Sequence, residues 1–142
     1  VHTDFLTFAP QKSFDLVFAI RCFEYFEDKD IALKQLSLLV KSGGKIMIVT
    51  KNPEHATMKR VQQRELHTGQ VSKTEMKALL EKAGFTLESV LSATWRFKAK
   101  YTLLRAVFRL LHGLHAFTNG FFKVPFLTEP LTESYLYVAR KR

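Results

Sequence analysis

The sequence has a single cysteine, Cys22, in 142 residues. That excludes an intrachain disulfide and points to a reducing compartment, so a cytoplasmic setting is expected. It also leaves zinc without thiol ligands. His55 and His67 stand at no metal-ligand spacing, no second cysteine helps them, and they read as solvated side chains, so no metal site is expected. No uninterrupted apolar run reaches the roughly 20 residues that a membrane-spanning helix needs. No signal-peptide pattern stands at the start, where the first residue is Val1 rather than methionine. There is no internal repeat and no low-complexity tract. No glycine-rich, nucleotide-type turn precedes the first strand-like run. From Ser89 to Thr128 there is neither aspartate nor glutamate.

What the chain does contain is a core-forming composition and a strong positive charge. Hydrophobic residues make up 46%, enough for one globular domain rather than a disordered tail. The formal net charge of +9 makes acidic partners or anionic surfaces plausible. The organising stretch runs from Phe14 to Asn52. Phe14, Leu16, Val17, Phe18, Ala19 and Ile20 form a nearly continuous apolar run, the pattern of a strand covered on both faces. Asp28 is placed to cap a helix, and Asp30 sits in its first turn, where the helix dipole favours negative charge. Leu33, Leu36, Leu39 and Val40 give that helix a core face. Gly43 and Gly44 are expected to end it, and Ile46, Met47, Ile48 and Val49 to form a second strand. Strand, helix and strand over this length make a βαβ unit with parallel strands.

The two phrases FDLVFAIRCFEYFEDKDIALKQL and LLVKSGGKIMIVTKN resemble the middle of class I S-adenosylmethionine-dependent methyltransferases. In that family the fourth strand ends in a phrase like FDLV, a helix follows, and a vLkpGG turn leads into the fifth strand. Ser42 stands where the family usually has proline, and Tyr25 where many members carry histidine. The resemblance implies an α/β fold: the second half of a Rossmann-like methyltransferase sheet, mostly parallel, with an antiparallel last strand and a helical insertion. It implies S-adenosylmethionine as cofactor, with most of the cofactor cradle upstream, because the family's glycine-rich loop and ribose-binding acid have no counterpart here. Asp4, with Phe5 beside it, matches the loop acid that bonds the adenine amino group, and can equally be an ordinary loop aspartate. Ala19, Ile20 and Arg21 are implied to border the cofactor through backbone groups. Glu24 and Tyr25 follow, either facing the cofactor or acceptor or serving as a cap carboxylate and a packed tyrosine.

Beyond Asn52 the pattern weakens and then recovers. Asn52-Pro53 marks a turn, and Ala56 to His67 reads as a polar surface helix. Ser72 with Glu75 forms a capping box for the next helix, whose stripe is Met76, Leu79, Leu80 and Ala83, ended by Gly84. Phe85, Leu87, Val90 and Leu91 suggest a strand. The acid-free stretch carries Arg96, Lys98, Lys100, Arg105, Arg109 and Lys123 among many aromatics. Tyr101, Leu104, Phe108, Leu111 and His115 fall on one helical stripe, and Arg105, Arg109 and His112 on another. This is a basic amphipathic helix. It is either packed on its own domain or a cap over the substrate pocket, resting on anionic lipid. The resembling family builds substrate sites here, so Tyr101 and Phe108 are substrate-binding candidates. Tyr135, Tyr137 and Ala139 alternate with Leu136, Val138 and Arg140 in a final strand.

The expected organisation is a partial methyltransferase domain, with residues 1–95 and 128–142 as Rossmann-like core and 96–127 as cap. The expected function is methyl transfer from S-adenosylmethionine to a small-molecule or lipid-like acceptor, with peripheral contact to an anionic membrane. No catalytic residue is assigned, Tyr25 and His55 being the only candidates. Two rivals stand beside this reading: a nucleic-acid (RNA) methyltransferase, and a basic membrane-surface or interaction module without catalysis. Enzymes that methylate base amino groups typically carry Asn-Pro-Pro-aromatic after the fourth strand, where this chain has Ala19-Ile20-Arg21-Cys22.

Overall fold

The computed structural model describes residues 4–55, 69–95, 102–117 and 132–142. Four strands, β1 (Phe14–Ile20), β2 (Val40–Lys51), β3 (Phe85–Trp95) and β4 (Thr132–Lys141), form one sheet in the order β1-β2-β4-β3. β1 and β2 pair in parallel, and β4 runs antiparallel to both β2 and β3. Three strands therefore point one way, and the last is inserted against them beside β2. The fold is the expected α/β sheet.

Helices α1 (Lys29–Leu39) and α2 (Lys73–Lys82) are both started by side-chain caps. Asp28 Oδ1 accepts from Ile31 N at 2.8 Å, and Ser72 Oγ accepts from Glu75 N at 3.2 Å. Each cap satisfies one of the amide groups that a helix start leaves open. The core lies between these helices and one sheet face. It takes Ala32, Leu33 and Leu36 from α1, Met76 and Leu80 from α2, Ile46 and Ile48 from β2, and Tyr137 and Ala139 from β4. The two-residue period of β2 and β4 selects these side chains. A third helix, α3 (Thr102–Phe117), lies between β3 and β4 in the chain.

Two expectations require correction here. Gly43 and Gly44 do not end α1. The helix stops at Leu39, and Val40 is already extended and paired with Phe14. The next matched pair is Leu16 with Lys45, so the residues between Val40 and Lys45 bulge out opposite Asp15. Gly43 adopts φ +75° in that bulge, a conformation that disfavours other L residues. A Cβ on Gly44 would lie 3.0 Å from the Asp15 carbonyl oxygen. The glycine pair therefore serves the strand's bulge.

The second correction concerns β1. Ala19 is buried, but Phe14, Leu16, Phe18 and Ile20 are 41–61% exposed. Helices α1 and α2 cover the other face of the sheet. An apolar run shows that a strand tolerates burial on both faces; what covers it is decided by tertiary structure. The expected helix at Ala56 to His67 lies outside the described residues.

Candidate functional site

Parallel pairing brings the carboxyl ends of β1 and β2 to the same sheet edge. Ile20 pairs with Val49, and one residue on, Arg21 N donates to Val49 O at 2.8 Å. Arg21 adopts φ +56°, the left-handed region that an L side chain disfavours by about 1–2 kcal/mol. Its side chain holds it there. Arg21 Nε donates to Glu24 Oε1 at 2.9 Å, and a guanidinium NH donates to Ser134 Oγ at 3.1 Å. Glu24 lies in the short 3-10 turn Phe23–Tyr25 with its side chain fully buried. Its second oxygen accepts from Thr50 Oγ1 at 3.1 Å. A carboxylate taken out of water needs such partners, and both of its oxygens have them.

The neighbouring groups complete this edge. Asn52 N donates to Glu133 O at 2.8 Å, and Asn52 Nδ2 donates to Thr132 O at 2.9 Å, tying the end of β2 to the start of β4. Gly69 presses on the turn: a Cβ there would lie 2.0 Å from Glu24 O and 2.6 Å from Lys29 Nζ. Lys29 sits 5.5 Å above the Phe23 ring and donates to the Phe26 carbonyl. Burial lowers the pKa of its ammonium, opposed by the Glu24 and Glu75 carboxylates. The pKa of the Cys22 thiol is pushed upward, first by desolvation and then by Glu24, which disfavours the reactive thiolate. Among the described residues no group of three or more His, Cys, Asp or Glu side chains is arranged to hold a metal ion.

Several residues singled out from the sequence meet at this edge. Ala19 is buried, Ile20 exposed and Arg21 half-buried. Asp4 is exposed and caps a 3-10 turn, its Oδ1 accepting from Leu6 N at 3.0 Å. Phe5 stands 5.4 Å from the Phe26 ring, which sets the Asp4 turn beside the loop after β1. Gln35 Nε2 donates to Leu6 O at 2.7 Å and fixes that turn to α1. Tyr25 is 65% exposed. His55 is buried rather than solvated, because the turn after β2 folds back and His55 N donates to Asn52 O at 3.3 Å. Tyr101, His67 and the side chain of Phe108 lie outside the described residues. Thr50, Asn52, Gly69 and Ser134 were not singled out for the site. Thr50 alone had a signal: it continues the buried alternation of Ile46 and Ile48, which places a hydroxyl in the core.

The edge belongs to a known type of domain. The family described as "Methyltransferase domain" matches residues 2–90. The chain is a member of that methyltransferase family. Solved structures agree on the fold. An S-adenosylmethionine-dependent methyltransferase from Mesorhizobium loti superposes with a TM-score of 0.60 at 17% identity, covering 98% of this chain and 67% of that one. The N-methyltransferase NodS from Bradyrhizobium japonicum WM9, in complex with S-adenosyl-L-homocysteine, gives 0.58 at 16% identity, covering 98% and 52%. Phosphoethanolamine N-methyltransferase 2 from Haemonchus contortus, in complex with S-adenosyl-L-methionine, gives 0.54 at 23% identity, covering 90% and 33%. This methyltransferase chain spans about half the length of the NodS structures it matches. No curated protein matches it.

Proposed function

We propose that this chain takes part in methyl transfer from S-adenosylmethionine to a small-molecule or lipid-like acceptor. The observation that carries the reading is the family match, which includes β1, β2 and the edge where they end. In parallel α/β sheets ligands bind beyond the carboxyl ends of the strands. Asp4 fits the cofactor on one count. Its exposed carboxylate gives one oxygen to Leu6 N and keeps acceptor capacity for an amino group.

Bound there, S-adenosylmethionine supplies a methyl group already activated by its sulfonium. The chain's own residues then have to bind and orient. Asp4 would accept from the adenine amino group, with Phe5 beside it. The backbone of Ala19, Ile20 and Arg21 would border the cofactor. Arg21 donates to Glu24 and Ser134, and these bonds would hold that border in place for the cofactor. Tyr25, being exposed, would face the acceptor, with Glu24 holding the turn from beneath. Residues 96–127 would form a cap that supplies Tyr101 and Phe108 to the acceptor. Rigid placement lowers the barrier by removing motion that the reactants would otherwise have to lose.

The test is label transfer. The whole protein is incubated with methyl-labelled S-adenosylmethionine and, separately, with amine metabolites, phospholipid and quinone-type lipids, or RNA. Label in a small-molecule or lipid fraction is the expected result. Label confined to RNA would overturn the acceptor class, and no transfer to any fraction would favour the non-catalytic module.

A further inference from the structure

We propose that α3 docks the protein on an anionic lipid surface, lying in the plane of the interface. The inference concerns binding alone and does not depend on methyl transfer. Leu103, Val107, Leu110, Leu114 and Phe117 are separated by alternate steps of four and three residues, so they form one stripe along the helix. All five face solvent: Leu103, Leu110 and Phe117 are 78%, 75% and 88% exposed, Val107 and Leu114 less so. Leu111, beside the stripe, is also exposed. Among the described residues nothing covers Leu103, Leu110 or Phe117, and exposed apolar surface of this extent marks a site of interaction.

Charge selects the partner. Every charged residue from Ser89 to Thr128 is basic, six in all, and the exposed Arg109 stands away from the stripe on α3 itself. An apolar face with a cationic opposite side is the make-up of a helix that lies in a headgroup layer. A second copy would set this uniformly basic segment against itself, with no acid in it to relieve the repulsion. Length selects the orientation. Sixteen helical residues span about 24 Å, short of the roughly 30 Å hydrocarbon core, and no described helix is long and apolar enough to cross a membrane.

The insertion is also rooted in a useful place. β3 ends at Trp95 and β4 begins at Thr132, and these two residues pair with each other. The Thr132 carbonyl accepts from Asn52, at the same edge as Arg21 and Glu24. Docking through α3 would therefore hold this edge near the lipid surface, where a membrane-held molecule is presented.

Vesicle co-sedimentation without cofactor tests the proposal apart from any enzyme activity. The probes are vesicles of phosphatidylcholine alone and of phosphatidylcholine mixed with phosphatidylserine. The chain should sediment with the mixed vesicles, bind the neutral ones several-fold more weakly, and be released by salt, since exposed charges are screened over about 8 Å at physiological ionic strength. Leu110→Ser with Phe117→Ser should weaken binding by roughly tenfold or more, through lost apolar burial. Both side chains are exposed, so the circular dichroism spectrum should be unchanged. Arg109→Glu is the second variant and should reduce binding to the anionic vesicles only. Binding that ignores the serine pair would show adsorption by net charge and overturn the proposal. So would failure of the wild-type chain to bind mixed vesicles at low salt. Size-exclusion elution as a dimer that the serine pair dissociates, without vesicle binding, would assign the stripe to a second copy instead.

Discussion

Arg21 and Glu24 form an ion pair of 2.9 Å across a single turn, with the Glu24 side chain fully buried and the Arg21 side chain 38% exposed. The pair ties a left-handed backbone residue to the floor of the candidate site. Glu24→Gln keeps the shape but removes the charge that Arg21 and Thr50 both address. Because Arg21 still reaches water, the loss should be moderate, about 1–3 kcal/mol, below that for a wholly buried pair. Urea unfolding of the chain checks this, and an unchanged midpoint would mean that water replaces the carboxylate at no cost.

Gly69→Ala should destabilise the same turn from its other side. The new methyl group would sit 2.0 Å from the Glu24 carbonyl oxygen, a backbone atom that cannot swing away. Displacing it should cost about 1–3 kcal/mol, in the range of overpacked sites. Gly113→Ala is the control, since a Cβ there meets nothing within 4 Å. Equal thermal midpoints for the two variants would contradict the close approach.

Acid should loosen the far end of the sheet first. Hydrogen bonds from Lys45 and then Arg140 hold the Glu88 carboxyl below its usual range, and Lys41 does the same for Asp15. A folded-state value below the unfolded one gives stability that is complete above the unfolded value, about pH 4. It is lost as pH falls through the folded value. Stability measured against pH should therefore decline below about pH 4, and Glu88→Gln should flatten the decline. A decline of equal depth in the variant would assign it to other carboxyls.

Asp4→Ala in the whole protein should weaken S-adenosylmethionine binding by about 1–3 kcal/mol, the cost of leaving a buried donor unpaired. Isothermal titration reads this directly. The 142-residue chain alone should bind weakly, since no glycine-rich turn follows a strand in the sequence described above. An unchanged dissociation constant for Asp4→Ala would place the adenine elsewhere.

Local chemistry made much of this architecture legible before any coordinates. Asp28 and Ser72 start their helices as their side chains dictate, and Gly84, at φ +86°, follows α2 as expected. Alternation along β4 put Tyr135, Tyr137 and Ala139 on the core side. The parallel pair and the reversed last strand followed from the βαβ pattern and the resemblance. The missed features are tertiary. Nothing local tells Gly43-Gly44 as a helix stop from the same pair in a strand bulge, because both need φ > 0. Glu24 reads from the sequence as a cofactor-facing or cap carboxylate; its burial depends on Thr50 of β2 reaching it and on Arg21, which Ser134 of β4 holds in turn. His55 reads as solvated from its sequence, but it is buried in the turn after β2, its N–H donating to Asn52 O.

The direct pairing of Trp95 with Thr132 closes the insertion at its neck. Whatever lies between those residues begins and ends at one point of the sheet, so its length and content can change while the strands keep their register. The entropy of such a closed segment grows only logarithmically, by about 0.6 kcal/mol for each doubling of length. Evolution can therefore exchange this segment as a module, retuning what the protein touches while leaving the scaffold beneath it unaltered.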